Sequence, residues 1–147
     1  MSVFKLIEST HPMLKLPIEQ CSDEIDRNKV KEDLIDSMKN YQGIGLSANQ
    51  IGIMERVFVM YSNVKEREII ACFNPQILSV SDKKVLMDEG CLSYPGLWLK
   101  VSRPDGIEVS YEDENVFVIS HKQDTLVDKF RSTIKFEKVR NFSHVSI

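Results

Sequence analysis

Two short stretches hold most of the residues able to do chemistry: "GIGLSANQ", residues 43 to 50, and "EGCLSYPG", residues 89 to 96. In the first, glycines let a backbone edge approach a ligand closely. An extended peptide laid along such an edge gains main-chain hydrogen bonds, and side-chain pockets then select it. Gln50 carries an amide N–H suited to an oxygen that turns negative in acyl transfer; a turn glutamine bonding its own backbone is the alternative, and residue type alone does not separate the two. In the second stretch, Gly90 removes Cβ crowding beside the Cys91 thiol, and backbone N–H groups just after it, that of Leu92 among them, can point at the same place. A thiolate there is a metal ligand or a nucleophile, and a small buried hydrophobe is the alternative.

The pattern G-x-G-x-x-A also matches a dinucleotide fingerprint, which must follow a strand and open a helix so that the pyrophosphate meets the helix N-terminus. Here the order is reversed: a helical pattern precedes the glycines and a strand-rich segment follows. The other cysteines, Cys21 and Cys72, add no C-x-x-C pair, so neither a disulfide framework nor a zinc ribbon is indicated. A net charge of -3 supplies no concentrated positive surface for nucleic acid. No run approaches the apolar length of a membrane span and the first residues lack a signal-peptide core, so a cytoplasmic protein without membrane contact is expected.

The elements that must position these residues can be read from periodicity. At 147 residues with 42% hydrophobic and 28% charged content, one globular domain is expected over 1–147. "HPMLKLPIEQC" is an irregular lead-in because each proline fixes its own φ and restrains its predecessor. In "DRNKVKEDLIDSMKNYQ", Val30, Leu34, Met38 and Tyr41 form one helical stripe, with Lys29, Lys31, Asp33 and Asp36 on the wetter face and Gly43 placed to end the helix. "RVFVMYS" and "IIACFNP" read as strands. "QILSVSD" and "KKVLMDEG" suggest a hairpin turning near Asp82. "LWLKVSRP" and "IEVSYEDEN" alternate around a turn at Pro104-Asp105-Gly106. The tail, with Val127, Phe130, Ile134, Phe136, Val139 and Phe142, predicts a C-terminal helix with a basic face, which is a solvated surface or a weak contact with an anionic partner such as the ribosome. The expected class is α+β: an N-terminal helix, a β-rich middle of mostly antiparallel strands, and a C-terminal helix.

The pair "GIGLSANQ" and "EGCLS" resembles the first two signatures of the peptide deformylases, metal hydrolases that remove the formyl group from N-terminal formylmethionine. The family patterns are G-x-G-L-[AS]-A-x-Q and E-G-C-L-S, and the likeness is strongest over residues 1–115. The resemblance implies a deformylase-like fold and N-formylmethionyl peptides as partners. It implies that Cys91 is a metal ligand for Fe(II), Zn or Ni, and that Gln50 and the Leu92 backbone N–H stabilise the oxyanion. Ile44, Gly45 and Gly90 would lie against the substrate backbone, and Leu46 would help line the methionine pocket. Glu89 would be a carboxylate supporting the metal site, with a plain ion pair to Arg103 as the alternative.

The third family signature, H-E-x-x-H on a helix, is not present in these 147 residues. That motif sets two imidazoles on one helix face with a glutamate between them as general acid/base. The histidines are His11, His121 and His144, of which the first two read as surface residues. His144 in "NFSHVSI" resembles the opening of the third signature, but Val145 stands where the glutamate belongs. The expectation is a degenerate site with impaired or lost hydrolysis, no metal bound if the imidazoles are missing, or a tail beyond Asn115 read in a shifted frame. A metal-free peptide-binding module is the alternative function.

Overall fold

The structure, a computed structural model, describes residues 2–63 and 66–121. Helix α1 spans Arg27–Asn40, and Asp26 caps it by accepting a hydrogen bond from Lys29 N at 3.1 Å. Seven strands follow: β1 Gly45–Ser47, β2 Val57–Asn63, β3 Glu68–Val80, β4 Lys84–Cys91, β5 Tyr94–Pro104, β6 Ile107–Glu112 and β7 Val118–His121. A five-stranded antiparallel sheet has the order β1-β2-β3-β6-β7, and β4 pairs with β5 in a separate ribbon. Among the described residues no helix is long and apolar enough to cross a membrane.

Both faces of the large sheet are buried at its centre, and β2 shows why. Successive side chains on a strand point to opposite faces. Val57 and Val59 pack with Leu34 and Met38 of α1, while Phe58 and Met60 pack with Cys72, Val109 and Tyr111 on the other side. The run Val57-Phe58-Val59-Met60 is therefore apolar throughout rather than alternating, as a strand covered on both faces should be. The irregular lead-in is tied down by polar contacts. Asn74, left-handed at φ 49, accepts from Cys21 N at 2.7 Å through Oδ1 and donates to Glu112 Oε2 at 3.0 Å through Nδ2. Glu112 also receives Arg27 at 2.8 Å, and the Arg27 guanidinium lies 4.9 Å from the Phe73 ring centre.

Several expectations are corrected. The segment near Asp82 is not a hairpin: β3 pairs with β2 and β6, β4 pairs with β5, and Asp82 lies on the passage between the two sheets. "IIACFNP" and "QILSVSD" are one strand, β3, interrupted by a register shift between Phe73 and Gln76. Asn74 and Pro75 cause it, one in the left-handed region and the other without an N–H for the ladder. The left-handed residue that ends α1 is Gln42 at φ 55, not Gly43. Gln42 N donates to Lys39 O at 3.0 Å and Gly43 N to Met38 O at 3.0 Å, the bonding of a Schellman stop. Asp33 is buried rather than on the wet face, and Lys29 is its ion partner. Residues 118–121, expected beyond the strands, form β7. The predicted C-terminal helix lies outside the described residues.

The β6–β7 turn contains a local conflict. Val116 N donates to Asp113 O at 3.1 Å and Asp113 N to Phe117 O at 3.0 Å, and Asp113 Oδ1 receives Asn115 N and Phe117 N. This is a type I turn followed by a left-handed residue, a place that glycine normally fills. Here Val116 fills it at φ 66, and a β-branched side chain is strained there. Its side chain is 57% exposed, so little packing opposes a change. Val116→Gly is expected to raise stability by about 1 kcal/mol and Tm by about 3–5 °C, measured by thermal melting.

The same turn is tied to α1 by Lys31, whose ammonium meets Glu114 Oε1 at 2.6 Å. That hydrogen bond is the main cause that holds the Glu114 carboxyl below its ordinary value of 4.5. A carboxylate with a lowered native pKa stabilises the fold above its unfolded value and loses that contribution as pH falls through the native one. Lys31→Met should thus cost about 0.5 kcal/mol at neutral pH, and urea titrations of parent and variant should converge as the medium is acidified below pH 4.5.

Candidate functional site

The first motif begins where α1 stops and runs into β1, an outer strand of the large sheet. Tyr61 N donates to Ile44 O at 3.1 Å, and Gly45, Leu46 and Ser47 stand opposite Met60, Val59 and Phe58. Backbone groups alternate in direction along a strand, so Ile44 and Leu46 address β2 while Gly45 and Ser47 turn theirs to the open edge. Ser47 N follows this parity, donating to Gln50 Oε1 at 3.0 Å. Gly45 therefore offers one donor and one acceptor where an added extended chain would lie. The Ile44 side chain is 46% exposed, whereas Leu46 is buried in the core with Leu34, Met38 and Val59.

After β1 the chain makes one 3-10 turn, Ala48–Ile51, closed by Gly52 in the left-handed conformation at φ 82. The turn carries Gln50 back over its own start. Gln50 Oε1 receives Ser47 N and lies 2.9 Å from Ser47 Oγ, while Nε2 donates to Ser93 Oγ at 3.0 Å and lies 3.8 Å from Cys91 Sγ. Ser47 N can only donate, so the amide oxygen must face it. The nitrogen end is thereby aimed at the second motif. One of its hydrogens is held by Ser93 and the other lies on the long contact to the Cys91 sulfur, a weak bond that a ligand oxygen could displace. The turn reading of Gln50 is met, since its carbonyl closes the turn, while its N–H end points to Ser93 and Cys91.

The second motif is the tip of the β4–β5 ribbon. Cys91 pairs with Tyr94, and Gly90 pairs with Trp98, so the register jumps at the tip. Pro95 has no N–H for the ladder and Gly96 is left-handed at φ 79, which accounts for the extra residues on the β5 side. The two motifs touch through a glycine: a Cβ at Gly43 would lie 2.5 Å from Leu92 Cδ1. Gly90 has a similar reason, since a Cβ there would meet the Trp98 ring at 3.2 Å.

The structure thus gathers Gln50, Cys91 and Ser93, with Leu92 over Gly43 and the Gly45 edge alongside. It places Leu46 in the core. The ladder sets Glu89 opposite Leu99 and Arg103 opposite Val85. His11 is exposed and accepts from Met13 N at 3.1 Å, capping a 3-10 turn, and His144 lies outside the described residues. Cys91 is half-buried, whereas Cys21 and Cys72 are buried. Burial first, then the charge of Glu55, pushes the Cys21 thiol up to about 11 and keeps it protonated. Among the described residues, no three His, Cys, Asp or Glu side chains gather where they could hold a metal ion. Ser47, Asn49 and Ser93 escaped the sequence reading. The spacing S-x-x-Q over 47–50, a capping-box pattern, was the signal for Ser47.

The sequence model of the family described as polypeptide deformylase matches residues 3–127. A peptide deformylase of Natranaerobius thermophilus is 38% identical over 110 residues, covering 74% of this chain and 69% of its own. Peptide deformylase 1 of Burkholderia multivorans is 39% identical over 93 residues, covering 63% of this chain and 50% of its own. The chain thus spans between half and about two thirds of these curated relatives. A crystal structure of a Synechococcus elongatus peptide deformylase in complex with actinonin superposes with a TM-score of 0.81 at 27% identity, covering 90% of this chain and 74% of the other.

The Gly43–Leu92 contact predicts a coupled pair. Gly43→Ala should cost about 1–2 kcal/mol because Leu92 must yield. In a Leu92→Ala background the same change should cost less than about 0.5 kcal/mol, a double-mutant cycle readable by urea denaturation.

Proposed function

The chain belongs to the polypeptide deformylase family, and from that premise we propose that residues 43–50 and 89–93 form a pocket for the formylated N-terminus of a methionyl peptide. The observation that carries this reading is the clamped Gln50 amide, whose N–H end is aimed past Ser93 at Cys91. A formyl oxygen placed there would accept from Gln50 Nε2 and from the backbone N–H of Leu92, the pairing that stabilises charge growing on a carbonyl oxygen. The outward groups of Gly45 would hold the peptide backbone, with Ile44 and Gly90 beside it. In this reading Leu46 acts on the methionine pocket from the core, by supporting its wall. The proposed setting is a cytoplasmic one in protein biosynthesis.

The family chemistry is metal-dependent, and Cys91 is the residue proposed to ligate. A catalytic site takes three protein ligands and leaves one position open. The described residues supply no such set, and the 147 residues carry no H-E-x-x-H. The described residues do not fit the metal. We therefore read this chain as retaining recognition of the formyl peptide, with hydrolysis impaired or lost. What remains is positioning and hydrogen bonding to the carbonyl, which leaves the attacking water unactivated.

Calorimetry with formyl-Met-Ala-Ser and with Met-Ala-Ser tests the recognition. The formylated peptide should bind about tenfold tighter, and Gln50→Leu should erase that preference. Equal affinities in the parent would overturn the reading. Formate release should be no faster than in the Gln50→Leu variant; rapid turnover by protein carrying one Fe, Ni or Zn per chain would instead show hydrolysis to be intact.

A further inference from the structure

An amide side chain has two ends of nearly equal size, so a pocket that needs its N–H must exclude the half-turned form. The backbone N–H of Ser47 does part of this, and its hydroxyl adds a second constraint. Ser47 Oγ lies 2.9 Å from Gln50 Oε1 and 2.8 Å from Asn49 Oδ1, yet a hydroxyl has a single proton. Ser47 and Asn49 are buried, and the two oxygens are in direct contact. Asn49 Nδ2, also buried, has no partner among the described residues. A half-turn of the Asn49 amide satisfies these demands together, because its nitrogen then donates to Ser47 Oγ and the Ser47 proton goes to Gln50 Oε1. The orphan left over is a carbonyl oxygen, which is cheaper to bury unpaired than an N–H.

From this geometry we infer that Ser47, braced by Asn49, is the positioning residue for Gln50. Its hydroxyl and backbone N–H converge on one oxygen, so the amide can present only N–H toward Cys91. Donation into Oε1 also draws electron density from the amide nitrogen and strengthens it as a donor, as hydrogen bonds in series do in a dry interior. This inference rests on the proposed role of Gln50 as donor to the formyl oxygen.

The test compares parent, Ser47→Ala and Ser47→Thr by two readouts. The first is proton exchange and resolution of the Gln50 side-chain amide by 15N NMR, which needs no ligand. The second is the ratio of affinities for formyl-Met-Ala-Ser and Met-Ala-Ser. Ser47→Ala should lower amide protection about tenfold and cut the formyl preference about five- to tenfold, with affinity for Met-Ala-Ser unchanged. Ser47→Thr should restore both. An unaltered amide in Ser47→Ala would overturn the inference, and so would an equal loss of affinity for both peptides, the mark of a merely structural role. If amide protection falls in Ser47→Ala but the parent shows no formyl preference, Ser47 still positions Gln50 and the proposed function is what fails.

Discussion

The orientation of one uncharged side chain organises this molecule. Gln50 is almost fully buried, and its oxygen and nitrogen ends differ in hydrogen bonding but hardly in shape. A buried amide stays in one orientation only where each end meets partners of the right kind. Ser47 N on one side and Ser93 Oγ on the other provide them. Those partners lie on separate parts of the fold. Ser47 closes β1, and Ser93 sits at the tip of a ribbon that shares no ladder with the large sheet. Bringing them together is the task of the surrounding architecture.

That task explains features remote from the site. Helix α1 must stop at Asn40 so that β1 can start at Gly45, and the left-handed Gln42 with its two backbone bonds makes the stop sharp. β1 must be an outer strand, since an inner one would spend the Gly45 groups on a neighbour. Gly43 must lack a side chain for Leu92 to lie against it. The network of Asn74, Glu112 and Arg27 joins the lead-in, the start of α1, β3 and β6, and so holds the sheet in register behind β1. Each of its members is partly buried, where charge-assisted bonds act over short distance with little screening.

Under the proposed function, the recognition half and the reactive half of the family's chemistry are unequally represented among the described residues. Backbone edge, amide donor and thiol converge within residues 43–50 and 89–93. No three-ligand group accompanies them among the described residues. Val116 is strained in a turn position that suits glycine.

Much of this was legible without coordinates. The stripe Leu34–Met38 specified a helix and its buried face because side chains four apart share a side. The run 57–60 specified a strand through its β-branched and aromatic content, and the two glycine-bearing motifs pointed to the candidate site. Pairing was not legible. "QILSVSD" and "KKVLMDEG" look like hairpin partners in sequence, yet β3 pairs with β6 on both sides of the irregularity at Asn74 and Pro75, and β4 pairs with β5. Strand patterns report which face a residue occupies and say nothing about which edge meets which. The direction of the Gln50 amide, the burial of Asp33 and the reason for Gly90 were likewise decided only by the folded chain, because each depends on a neighbour distant in sequence whose approach no local pattern encodes.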